Sequence, residues 1–218
     1  MSVLRSAVLA LLLGTTGLAL AVPATADDTA QTHDAAIKLP SGKFVQDLGD
    51  QAIKVIADKS VSAGQRSDKF REILRNSFDL MTIGRFVIGR SWNTATPDQQ
   101  QEYMKLFESL VVRTYGERLT LYTGEGFEVT GVRPESDKDT IVASQITHPD
   151  GSPPTSIDWR VRQRNGKLGI IDVVVEGVSL SVTQRQEYAA VIQNNGGNID
   201  ALLDMMRKQV ATPAKANS

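Results

Sequence analysis

The chain has no cysteine, and only two histidines and two tryptophans among its 218 residues. Without cysteine there are no disulfides, no thiol nucleophile, no thiolate metal site and no lipid-modified cysteine anchor. His33 and His148 fall in a polar tail and in a turn. Neither has a carboxylate or a second histidine at ligand spacing, so no metal site is expected. Charge of one sign is lacking too: 24 basic against 25 acidic side chains leave a net charge of −1, which argues against nucleic acid as a partner. No glycine-rich phosphate loop follows a strand, and Gly177-Val178-Ser179-Leu180-Ser181 lacks the second glycine of a nucleophile elbow. The sequence therefore reads as a protein without a cofactor and without catalytic machinery.

Long apolar runs are missing as well, except at the start. Arg5 precedes an apolar stretch from Ala7 to about Val22, Pro23 breaks it, and Ala24-Thr25-Ala26 places small residues around a cleavage position. This is the layout of a secretory signal peptide, and the stretch is short for a membrane span. The expected organisation is a signal peptide over 1–26, a flexible segment over 27–43, one folded domain over 44–212 and a flexible tail over 213–218. Such a chain would be released as a soluble domain.

Within the domain, Phe44, Val45, Leu48, Ala52, Val55 and Ile56 recur at helical spacing, and Phe70, Ile73, Leu74 and Phe78 mark a second helix. Asp79–Gly89 reads as a short helix and Ser91–Pro97 as a loop holding Trp92. Thr96-Pro97-Asp98-Gln99 combines a capping hydroxyl, a proline at the first helical position and an early acid, the clearest helix start in the chain. That helix is expected to end at Gly124 or Gly126.

The period then changes to two. Phe127–Val129 opens a strand, Thr140–Thr147 is another, and Ser156–Arg162 alternates Ile157, Trp159 and Val161 with charged residues. Asn165-Gly166 signals a hairpin returning through Leu168–Val175. Gln184–Ile192 and Ile199–Val210 read as closing helices. Helices, a meander and helices again predict an α+β domain: an antiparallel or mixed curved sheet with helices packed on one face. The expected form is a cone like that of nuclear transport factor 2, enclosing an apolar pocket.

Asp172 interrupts an apolar strand and is expected to be either paired or functional, with Asp158 a possible neighbour across the hairpin. Arg160, Arg162, Arg164 and Lys167 crowd one hairpin, as a solvated sheet face or as a surface for an anionic partner.

Several stretches taken in order resemble the MlaC, or toluene-tolerance, family. They are Phe78-Asp79 followed by Ile88-Gly89 and Trp92, the helix start Thr96–Gln99, Thr114-Tyr115 with Leu119 and Tyr122, and Ile171-Asp172-Val173-Val174-Val175-Glu176-Gly177-Val178-Ser179-Leu180, trailed by Arg185 and Tyr188. The resemblance runs from about Phe44 to Val210. Leu168 stands where many members have tryptophan, and Trp159 where they usually have tyrosine. The stretch from Arg185 through Tyr188 to Ile192 is also similar to the hopanoid-associated branch.

The resemblance implies a periplasmic carrier with phospholipid as cargo. It would work between an outer-membrane lipoprotein–porin complex and an inner-membrane ABC transporter bearing an MCE-domain subunit. It implies no catalysis and no metal. The inward faces then nominate as lipid-lining Phe78, Ile83, Phe86, Val87, Phe107, Val111, Tyr115, Ile141, Ala143, Ile157, Trp159, Val161, Val173 and Val175. Periodicity alone reads the same residues as ordinary core. Three other readings stay open: a carrier of hopanoid or another lipid, a small pocket enzyme using Asp172 or Asp158, and an interaction module with a solid core.

Overall fold

The computed structural model describes residues 34–58, 60–118 and 124–212. The expected signal peptide, residues 27–33 and the expected tail lie outside the described residues. Helix α1 spans Pro40–Ala57 with its proline in the first turn, so it opens four residues before Phe44. Within the expected flexible segment, residues 34–43 include this helix start, with Ala36, Ser41 and Gly42 buried. Small side chains permit this, since a Cβ on Gly42 would collide with the Ala36 carbonyl.

Local chemistry sets the helix starts that follow. Helix α2, Ala63–Ser77, begins in a capping box in which Ser62 and Gln65 satisfy each other's backbone N–H. Asp79 caps α3, Leu80–Ile88, by accepting from the Thr82 N–H at 3.0 Å. The expected Trp92 loop is a single helical turn, α4, Ser91–Thr94. Helix α5 runs Pro97–Arg118, with Thr96 and Gln99 bonded reciprocally at 2.9 and 3.2 Å. Its expected glycine stop is corrected for Gly126, which opens the first strand; residues 119–123 lie outside the described residues.

Five strands form one antiparallel sheet in sequence order: β1 Gly126–Pro134, β2 Asp139–Thr147, β3 Thr155–Arg164, β4 Lys167–Val175 and β5 Val178–Ser179. Asn165 and Gly166 turn β3 into β4 with φ of 50° and 75°, the left-handed pair that matches strand twist and that glycine adopts without penalty. Glu176 and Gly177 repeat that hand between β4 and β5. Helices α6, Leu180–Asn194, and α7, Ile199–Ala211, close the chain.

The register assigns each strand residue to a face. Trp159 pairs with Val142 and with Val173, so these three share one face. Helices α1 and α2 cover it, and Val45 and Leu48 from α1 pack there with Val129, Val142, Val161 and Ile170. A second core lies among the helices alone, with Val87, Tyr103, Phe107, Tyr188, Leu202 and Met206 at its centre. The fold class is the expected one, α+β with an open antiparallel curved sheet, but its apolar interior is divided in two.

Candidate functional site

Where the helical core meets the sheet core, four elements leave a narrow space of about 90 Å³. Helix α5 presents Phe107, Val111 and Tyr115 to it, a stripe at four-residue spacing. Helix α3 contributes Leu80, Ile83 and Val87, again on one face. Phe78, the residue that ends α2, forms a further wall, and Val173 and Asp172 of β4 supply the sheet side. Leu180, Ser181 and Gln184 from the first turns of α6 complete the lining.

The junction between α2 and α3 is fastened to the sheet. Phe78 makes an isolated bridge to Ile170, and the Asp79 N–H donates to the Ile170 carbonyl at 3.0 Å. On the helical side Tyr103 donates its hydroxyl to the Gly84 carbonyl at 2.9 Å and stacks on Phe107. Burial pushes the Tyr103 and Tyr188 hydroxyls far above the usual phenol value, so both rings stay neutral behind the space.

Asp172 is the one charged residue among the described lining residues, and it is only 8% exposed. Its carboxylate accepts from the Ser179 hydroxyl at 2.6 Å, its neighbour's Val173 N–H at 2.9 Å and the Ser181 N–H at 3.2 Å. It therefore sits against the start of α6, where a helix favours negative charge. Asp158 does not face it: Arg160 is its register partner on β3, and Asp158 pairs with Val174. Asp158 instead lies 3.5 Å from Arg133 on the solvent side.

Half of the nominated residues are brought together here: Phe78, Ile83, Val87, Phe107, Val111, Tyr115 and Val173. Ile157, Trp159, Val161 and Val175 share the sheet face of Val173 but do not line this space. Trp159 is wedged between Phe78 and Phe127, with ring centroids 6.5 and 6.2 Å away. Ile141 and Ala143 point to the other side of the sheet, because they pair with Arg160 and Asp158. Ile141 is nonetheless buried, at 5% exposure, flanked in register by Arg133 and Arg160 whose stems can cover it. Phe86 is exposed, with the Arg185 guanidinium 4.8 Å above its ring.

The lining residues that periodicity missed are Leu80 and the α6 group. Leu80 opens α3 rather than repeating within it. The α6 group, Leu180, Ser181 and Gln184, falls in the first turns of that helix, where the sequence shows no helical period because strand β5 passes directly into it. Among the described residues no cluster of histidine or acidic side chains could hold a metal, and no helix is long and apolar enough to cross a membrane.

Comparison with known proteins agrees with this geometry. A family model described as MlaC protein matches residues 46–208. Toluene tolerance protein ttg2D of Pseudomonas putida is 25% identical over 122 residues, 56% of each chain, so this chain spans little more than half the length of that relative. The intermembrane phospholipid transport system binding protein MlaC of Haemophilus influenzae is 22% identical over 177 residues, covering 78% of this chain and 82% of that one. Among solved structures, a phospholipid-binding protein from Ralstonia solanacearum in complex with a phospholipid superimposes with a TM-score of 0.67. It is 25% identical and covers 78% of this chain and 98% of that chain. Matched along most of its length and folded in the same way, the chain belongs to the MlaC protein family.

Proposed function

We propose that this protein is a phospholipid carrier that holds acyl chains between its helical core and its sheet. The observation that carries the reading is the seam itself: Phe78, Ile83, Val87, Phe107, Val111 and Val173 converge on one space from separate elements. The physical need is plain. An acyl chain of about 15 methylenes at about 0.8 kcal/mol each costs on the order of 12 kcal/mol to expose to water. Crossing an aqueous gap is correspondingly slow unless a protein encloses the chain.

The space of about 90 Å³ is smaller than the ~300–1,000 Å³ typical of ligand pockets. Loading therefore requires the helices to draw back from β4. Two cores that meet at a seam, rather than one continuous core, suit that movement.

In this reading the chain is exported through its signal peptide and works in the periplasm as the mobile component of an Mla-type ABC transport system. It would exchange lipid with an inner-membrane MCE-domain subunit and an outer-membrane lipoprotein–porin complex. It is a carrier rather than an enzyme: the three donors on Asp172 give that carboxylate a role in the fold, which weakens the pocket-enzyme alternative.

The test is native mass spectrometry of protein purified from periplasm under mild conditions. Diacyl phospholipid should be recovered bound. Hopanoid in its place would keep the carrier and change the cargo. Empty protein after incubation with phospholipid vesicles would sink the proposal.

A further inference from the structure

Asp79, Gly89, Arg185 and Tyr188 stand out in the sequence, yet none of them lines the seam. All four bear on α3, the nine-residue helix whose Leu80, Ile83 and Val87 form one wall of it. Asp79 ties the first end of α3 to β4 through the Ile170 carbonyl. Gly89 closes the other end at φ 63° and ψ −134°, a conformation that glycine adopts without steric cost. Tyr188 packs edge-on against Tyr103, whose hydroxyl donates to the Gly84 carbonyl.

Arg185 supplies the remaining tie. Its Nη1 donates to the Phe86 carbonyl at 3.0 Å, and its guanidinium carbon lies 4.8 Å from the centre of the Phe86 ring. That carbonyl is one of the last four of α3, which find no partner inside their own helix. One half-buried side chain of α6 thus meets an open carbonyl, the negative end of a helix and an aromatic face at once. A Cβ on Gly89 would come within 3.3 Å of the same guanidinium, so glycine also leaves it room. Arg185 follows Gln184, which does line the seam, and this places the tie at the edge of the space. The other helical walls are less free to move. Helix α5 runs for 22 residues, and α6 continues directly from β5.

We infer that α3 is the gate of the seam and that Arg185 is the clasp that holds it shut. When the guanidinium leaves Phe86, the Gly89 end of α3 lifts away from α6, pivoting on the tie between Asp79 and β4. The inference rests on the carrier reading above and adds where the space opens and what restrains it. Arg185 is a positioning residue, since it touches the gate and not the cargo.

Hydrogen exchange of delipidated full-length protein reads the clasp without lipid. In Arg185→Gln the amides of residues 83–89 should exchange at least about fivefold faster, as expected for loss of one hydrogen bond to a charged group. Amides of β2 and β3 should not change. Arg185→Lys keeps a cation but not the planar face, and should fall between the two. Arg75→Gln removes a surface arginine that pairs with Glu108 on α5, and should leave residues 83–89 as they are in the native chain.

Transfer of fluorescent phosphatidylcholine between phosphatidylcholine vesicles reads the consequence. Arg185→Gln should speed transfer by about threefold or more, with the lipid bound per molecule at saturation unchanged. Damage to the fold would instead lower the amount bound. Unchanged exchange at 83–89, or acceleration shared equally by β2 and β3, would overturn the inference. So would faster exchange in α3 without faster transfer, or Arg75→Gln matching Arg185→Gln. A native chain that takes up no phosphatidylcholine sinks the carrier reading and the gate with it. The exchange data tell that failure apart from a clasp that does not hold α3.

Discussion

Trp159 donates its indole N–H to the hydroxyl of Ser144, 2.9 Å away on the neighbouring strand, and Ser144 donates in turn to the Ile157 carbonyl at 3.1 Å. The relay pins the largest side chain of the sheet face beside Phe78, one residue removed from the seam. Ser144 is only 3% exposed, so Ser144→Ala leaves the indole N–H without its partner in a place water reaches poorly. The expected loss is about 1–2 kcal/mol in urea unfolding. Trp159→Ala should cost about 3 kcal/mol or more, because the ring is packed between Phe78 and Phe127. A Trp159→Ala loss below that of Ser144→Ala would show that the indole is not a packing element.

The seam makes a clear separation between two apolar side chains of neighbouring helices. Val111 lines it, whereas Phe86 is 41% exposed. Val111→Glu should lower phospholipid retained per folded molecule by about tenfold or more, since a charge would have to be desolvated against the chains. Phe86→Glu should leave retention unchanged. Phospholipid extracted from purified, gel-filtered variants gives the comparison, and equal retention in the two would place the cargo elsewhere.

A pH effect should come from the solvent-facing side of the sheet. Asp139 accepts from Nε and Nη2 of Arg162, both at 2.7 Å, and this pairing holds its carboxyl below the usual carboxylate range. A folded value below the unfolded one, near 3.9, means that the stabilisation is present above that pH. It is lost as pH falls through the folded value. Asp139→Asn should therefore cost about 1–2 kcal/mol at neutral pH. The gap to the native chain should close progressively below about pH 4. Urea unfolding of both proteins across that interval measures it, and a gap that stays constant in acid would rule the pair out as its source.

Export makes a separate demand. The intact mass of protein recovered from periplasm should match a chain beginning at Asp27, after the Ala24-Thr25-Ala26 site. A full-length species retained in the membrane fraction would contradict processing there.

What could be read from the sequence was mostly what local chemistry decides. Asn165-Gly166 can hardly be anything but a hairpin turn, and Thr96-Pro97 opens a helix for reasons contained within four residues. Strand parity was harder. In Ile141-Val142-Ala143-Ser144-Gln145-Ile146 either alternate set could face inward, and the inward set proves to be Val142 and Ser144. The buried serine hid this, because its hydroxyl is satisfied by Trp159 and Ile157, partners that no local pattern reveals. Helix α3 was ambiguous for the opposite reason. Leu80, Met81, Ile83, Phe86, Val87 and Ile88 make it apolar nearly all round, so period alone could not leave Phe86 outside. The polar corner of the seam depends on a strand running straight into α6, and that join exists only once β5 has paired with β4.

The sheet is open, and β1 is one of its edges. A free edge strand is a template on which another chain can add, and repeated addition builds fibrils. Here the register slips between Val129 and Gly131, and α1 lies alongside. At that slip the Gln46 side chain takes the Val129 N–H at 3.1 Å. A neighbouring molecule seeking to extend the sheet from β1 meets a bent strand with one of its donors already engaged. Extension of the sheet from β1 by a second copy of the chain is thereby disfavoured.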